Sequence, residues 1–203
     1  MLNARVLFNA NISAAHQAGS LYDYLTVSVT APLSFDDLLR SQIVYSVSAF
    51  DKLIHDLVRI GMVDIFTGSR PATAKYLAES ISMQIHSDLV SASIPPKEYA
   101  FEQAIFRKFK TVSFQEPGKV ADGLSYVWGE EQKWQKIAGK MGLSDDVARK
   151  TLKLIADRRN AIAHEADIDP MTNTKLNITK QECEEITNFL RLCGNAIADL
   201  VII

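Results

Sequence analysis

The chain has 203 residues, 47% of them hydrophobic and 23% charged, with a formal net charge of -2. That length suits one domain with a real core and argues against a second full domain, and the composition argues against extended disorder. A near-balanced charge speaks against a surface that attracts nucleic acid everywhere, so any such contact must be focused in a local basic patch. The two cysteines, Cys183 and Cys193, would lie roughly 15 Å apart on one helix, too far to bridge, which points to a reduced, cytosolic setting. The start of the chain, MLNARVLFNANISAAH, has a short apolar run broken by Asn9 and Asn11. It makes a poor secretory signal, and no apolar stretch reaches membrane length, so a soluble, cytoplasmic protein without membrane association is expected.

In chain order, residues 5 to 29 read as a helix that ends before Pro32. Residues 34 to 61 form a long amphipathic helix, because Leu39, Ile43, Val47, Phe50, Ile54 and Leu57 recur at spacings of three and four. Ser34 with Asp37 resembles a capping box, and Gly61 is a natural stop. Residues 62 to 143 look helical but less regular. PATAKYLAESISMQIHSDLV and PKEYAFEQAIFRKFK each place a proline at a helix start, whereas SFQEPGKVADG carries turn residues. Ser144 then caps a helix with two acids in its first turn. Thr179 with Glu182 opens a last one, flanked by Ile178 and Cys183 and striped by Cys183, Ile186, Leu190, Cys193, Ile197 and Leu200. No strand alternation and no repeat is visible. The expected class is all-α: an antiparallel helical bundle over residues 1 to 203, with 62 to 143 an elaborated, less regular helical insertion.

The stretch DRRNAIAHEAD, residues 157 to 167, sets polar chemistry among small apolar residues. With Ile155 as reference at 100° per residue, Arg159 falls about 40° away, beside the apolar stripe, and Arg158 lies on its other flank. His164 is about 140° from Arg159 and shares the polar face with Lys153 and Asn160. One helix therefore does not bring arginine and histidine together by facing alone. Either the long arginine wraps around, or the helix ends near Ala163, or a second copy completes the site.

RNAIAH, with Arg159, Asn160 and His164, resembles the R-x4-6-H motif of HEPN domains. LLRSQIVYSVSAFDKLIHDLVR resembles the long helix of HEPN proteins in the ribonuclease L and phage-shock-linked group. The resemblance is carried by residues 34 to 61 and 144 to 203. It implies a helical bundle with the motif late in a helix. It also implies a metal-independent endoribonuclease of a toxin-antitoxin or phage-defence system, in which two motifs meet at a homodimer cleft. Arg159, Asn160 and His164 would then be catalytic, with RNA as substrate, no cofactor, and an antitoxin or defence-system protein as a further partner. The chemistry suits the residue types: His164 titrates in the range for acid or base work, and the fork of Arg159 fits phosphate oxygens.

Other candidates surround the motif. Ser48, Asp51, His55 and Arg59 make a polar line on the long helix, from which Asp51 and His55 could support the motif or simply face solvent. Arg149, Lys150 and Lys153, with Arg158, could track an RNA backbone or merely offset Asp145 and Asp146. FRKFK, residues 106 to 110, interleaves aromatic and basic residues as single-strand binders do, although burial of Phe106 and Phe109 on an amphipathic helix is the simpler expectation. The four histidines show no metal-ligand spacing. The alternatives to a nuclease are a non-catalytic HEPN module that binds RNA, nucleotide or a partner protein, and a helical adaptor with no nucleic-acid role.

Overall fold

The computed structural model describes residues 1–30 and 32–202. Among these, nine helices follow one another: α1 (Leu2–Ser28), α2 (Asp36–Phe66), α3 (Ala74–Leu77), α4 (Met83–Ser91), α5 (Lys97–Phe109), α6 (Pro117–Leu124), α7 (Lys133–Met141), α8 (Asp145–His164) and α9 (Lys180–Val201). No strand is present among the described residues; a single bridge pairs Ile168 with Lys175. The protein is an all-α bundle.

Side-chain contacts give the directions of the four long helices. Arg5 at the start of α1 bonds Asn195 and Asp199 at the end of α9, and Lys180 at the start of α9 meets Asp23 at the end of α1, so α1 and α9 are antiparallel. Gln42 early in α2 bonds Thr187 early in α9, so those two are parallel. Arg158 late in α8 and Arg40 early in α2 share Asp167, which sets α8 antiparallel to α2. The result is an up-down-up-down four-helix arrangement with α2 and α9 as its packed diagonal. One hydrophobic core runs through it and takes in residues of α5, α6 and α7. Leu39, Ile43, Val47, Phe50, Ile54 and Leu57 are all buried, as their spacing predicts. The α3 and α4 segments bury no residue fully.

The caps at Ser144 and Thr179 form as read, each hydroxyl accepting the backbone N–H three residues on, from Val147 at 3.4 Å and Glu182 at 3.2 Å. Several other expectations are corrected. Gly61 does not stop α2, which runs on to Phe66; the glycine is there because a Cβ would come within 2.6 Å of Met1 and Val127. The Ser34/Asp37 capping box is not formed: Ser34 accepts from Asp36 N at 3.2 Å, and Asp37 turns instead to Arg40 and Lys175. The helix start read at Pro71 lies instead at Thr73, and the stretch holds two short helices, α3 and α4, because the hydroxyls of Thr73 and Ser82 each cap a fresh start. SFQEPGKVADG is largely helix rather than turn, with Pro117 at the first helical position, where its missing N–H costs nothing. Cys183 and Cys193 are free and buried, and burial pushes both thiols up to about 12.

Candidate functional site

The buried residues of α8 are Ala148, Leu152, Ile155 and Ala156. That arc is centred about 45° from Ile155, so Arg159, at about 40°, projects from the middle of the packed face rather than from its flank. Leu152 and Ala156, both buried to one side of Ile155, move the centre. Arg159 accordingly enters a cleft of about 310 Å³ between α2, α5 and α8. Its lining includes Asp51, His55, Arg59, Phe106, Lys110 and Gln115. The polar line of α2 and the motif arginine are thus brought together.

The contacts within that cleft are specific. Arg159 Nη1 donates to Asn160 Oδ1 at 3.1 Å, while its buried Nε has no acceptor. The neighbouring arginines differ: Arg40 and Arg158 meet Asp167, Arg59 meets Asp56 and Glu102, but among the described residues no carboxylate pairs with Arg159. Asp51 and His55 do not bond the motif. Asp51 Oδ1 accepts from Phe114 N at 2.5 Å. His55 Nε2 lies 3.0 Å from the Val112 carbonyl, which can only accept, so that nitrogen carries a proton. Both side chains brace the segment that closes the cleft, and they sit 4.0 Å from each other. His164 stands elsewhere: it is the last residue of α8, exposed, on the face opposite the packed one. One chain therefore keeps Arg159 with Asn160 and does not bring His164 into the cleft.

Beyond His164 the chain makes a feature that periodicity does not reveal. Ala166 and Asp167 adopt positive φ values of 53° and 59°, which turn Asp167 back beneath the helix, where it is fully buried. Its two oxygens accept from Arg40 Nε at 2.7 Å and Arg158 Nη1 at 2.5 Å. Arg40 also donates to the Leu176 carbonyl and Arg158 to that of Asn177, so the hairpin before α9 is tied to both helices. A sequence signal for this did exist: Arg40 lies next to Leu39 and one turn from Ile43 on α2, and an arginine there needs a buried acid.

The remaining basic residues are largely neutralised within the fold. Arg158 is turned inward to Asp167. Arg149, Lys150 and Lys153 pair with Asp145, Asp146 and Asp157 at 4.0, 2.8 and 3.0 Å, a mixed-sign ladder along the outer face of α8. The hydrogen bond from Lys153 to Asp157 holds that ammonium above its usual pKa. In FRKFK, Phe109 is buried but Phe106 is 55% exposed at the cleft, contrary to the expectation that both pack inward. The reason is the cleft itself, which α5 borders without filling. Among the described residues no three His, Cys, Asp or Glu side chains gather as a cation site would need, and no helix is long and apolar enough to cross a membrane.

Comparison with curated proteins and with solved structures gives no match. A family model does match, that of RiboL-PSP-HEPN, and over residues 12–202 it spans the middle region as well as the motif helix and the long helix. With an all-α bundle, a late motif helix and an arginine held at a cleft beside the long second helix, the chain belongs to the RiboL-PSP-HEPN family.

Proposed function

We propose that the protein is a metal-independent endoribonuclease acting as a homodimer, with Arg159 and His164 of two copies forming a composite site, in a toxin-antitoxin or phage-defence setting. The observation that carries this reading is Arg159. It projects from the packed face of α8, its Nε is buried without an acceptor, and among the described residues no carboxylate forms an ion pair with it. A guanidinium left in that state costs stability unless an anion completes it, and a phosphate offers the matching oxygens. His164, exposed and apart from the cleft, is free to serve a neighbouring copy, which supports the composite reading. The groove of about 520 Å³ between α8 and α9, lined by Leu154, Ile186 and Phe189, supports such a neighbour. Leu154 is 69% exposed there, the kind of apolar face a second copy would cover.

In the reaction one His164 takes the proton of the RNA 2'-OH. The 2'-oxygen forms a bond to phosphorus, the bond from phosphorus to the 5'-oxygen breaks, and the second His164 gives that oxygen a proton. Arg159 holds the non-bridging oxygens as their charge grows, and Asn160, accepting from Arg159, fixes the fork. The products are a 2',3'-cyclic phosphate and a 5'-OH.

The test is incubation of end-labelled RNA with the purified protein in excess EDTA, with the new ends identified by mass spectrometry. Cyclic-phosphate ends, lost in Arg159→Ala and in His164→Ala, are the expected outcome. Cleavage only with added divalent metal, or full activity in His164→Ala, overturns it, and salt-sensitive RNA binding without cleavage points to a binding module instead. Leu154→Asp is expected to give a monomer by light scattering and to lose cleavage with the dimer.

A further inference from the structure

We propose that the cleft beside Arg159 is a base-selecting subsite that seats the nucleotide next to the scissile phosphate, with adenine as its best occupant. This rests on the reading of Arg159 as a phosphate ligand. Three side chains of the middle region, none of them in the motif, supply the recognition. Phe106, on α5, is 55% exposed although its neighbour Phe109 is buried, so an aromatic ring is left free where a base can stack. Gln115 is only 8% exposed, yet its side-chain amide lines the cleft with no hydrogen-bond partner among the described residues. A glutamine amide presents a donor beside an acceptor, which matches N7 and the N6 amino group of adenine. Lys110, exposed at the rim and without an acidic partner among the described residues, adds a second cation beside Arg159.

The rest of the wall is already engaged and leaves those groups to the ligand. Asp51 is held by Phe114 N, Asp56 by Lys52 and Arg59, and His55 by the Val112 carbonyl. The volume of about 310 Å³ is at the low end of the range of about 300–1,000 Å³ for small-ligand sites, room for one nucleotide and not for a folded RNA element. Because Arg159 lines the same cleft as Phe106 and Gln115, a phosphate on its guanidinium brings the attached nucleotide to those two side chains.

The experiment is calorimetric titration of the full chain with the four nucleoside 5'-monophosphates and with ribose 5-phosphate, followed by mapping of cut sites on a mixed-sequence RNA. AMP is expected to bind about five- to a hundredfold more tightly than ribose 5-phosphate, the range that stacking on one aromatic ring supplies. Phe106→Ala removes that advantage, and its exposure makes the substitution compatible with folding. Gln115→Glu, which keeps the shape and exchanges the donor for an acceptor, abolishes the preference for AMP over the other bases while all four still exceed ribose 5-phosphate. AMP no tighter than ribose 5-phosphate overturns the subsite. So does RNA cleavage whose cut-site preference is unchanged in both variants. A protein that binds AMP with this variant pattern but never cleaves RNA overturns the nuclease reading and leaves the subsite standing.

Discussion

The two sides of the last turns of α8 contrast sharply. On one side Arg158 is closed into the fold, sharing the buried Asp167 with Arg40 and donating to the chain before α9. On the other, Arg159, the next residue, opens into a cleft and makes no ion pair among the described residues; both arginines keep a buried Nε without an acceptor, so the missing carboxylate is what separates them. Two identical side chains one residue apart thus do different work, and the difference lies in which carboxylates the fold provides. Where a charge serves stability, its counter-charge is built in; where it serves a ligand, as proposed for Arg159, its counter-charge is left out.

The contrast can be broken by exchange of effects. Arg159→Ala is expected to lower RNA cleavage by about 10²–10³-fold, as loss of a charge-stabilising group does, with the midpoint of urea unfolding unchanged or raised, because the unbalanced guanidinium is gone. Asp167→Ala, on the closed side, is expected to cost about 3–5 kcal/mol, since it removes the buried carboxylate that Arg40 and Arg158 share and leaves Arg158 without an ion pair and Arg40 with Asp37 alone, read as a fall in the urea midpoint. A similar loss of stability in Arg159→Ala, or none in Asp167→Ala, would erase the distinction.

How much of this could be read in advance varied with the kind of interaction. The α2 stripe, the caps at Ser144 and Thr179 and the motif itself follow from local spacing. The position of Arg159 needed one further fact, that Leu152 and Ala156 are buried, because the direction of a helix face is set by its neighbours. The Asp167 ion pairs join residues 127 positions apart in one case, and no period encodes them. Asp51 and His55 were assigned to support of the motif, yet their partners are backbone groups of residues 112 to 114, a loop whose path sequence does not specify. The middle region was hardest, because α3 and α4 start at the hydroxyls of Thr73 and Ser82, whereas α5 and α6 start at prolines, and no single rule covers both kinds.

The same contrast has a packing counterpart. Gly194 on α9 has no room for a side chain: a Cβ would lie 2.5 Å from the Phe8 ring, which is rigid and buried. Gly118, in the first turn of α6, has nothing within 4 Å. Gly194→Val is expected to destabilise by about 1–3 kcal/mol or more through overpacking, and Gly118→Ala to change stability by less than about 0.5 kcal/mol, both by chemical denaturation.

The smallest effect concerns the buried thiols. Burial raises Cys183 and Cys193 to about 12, against about 8.5 in the unfolded chain. The folded state holds these protons more tightly, so this contribution to stability is whole below about pH 8.5 and is lost as pH rises toward the folded value. At pH 7.5 neither thiol should react with iodoacetamide until denaturant is added, and mass spectrometry will count the adducts.

The Asp167 tie also sets a schedule. His164 sits only three residues before the aspartate, so its position is defined once Arg40, made early, has met a residue made late. A chain still emerging from the ribosome holds α2 long before it holds that aspartate, and contacts of such separation form late in folding. Under the proposed function, a nuclease arranged in this way has no finished site until the Asp167 hairpin has been synthesised and has met α2. The translation machinery that makes it is then the last RNA-bearing assembly it meets as an unfinished, inactive chain.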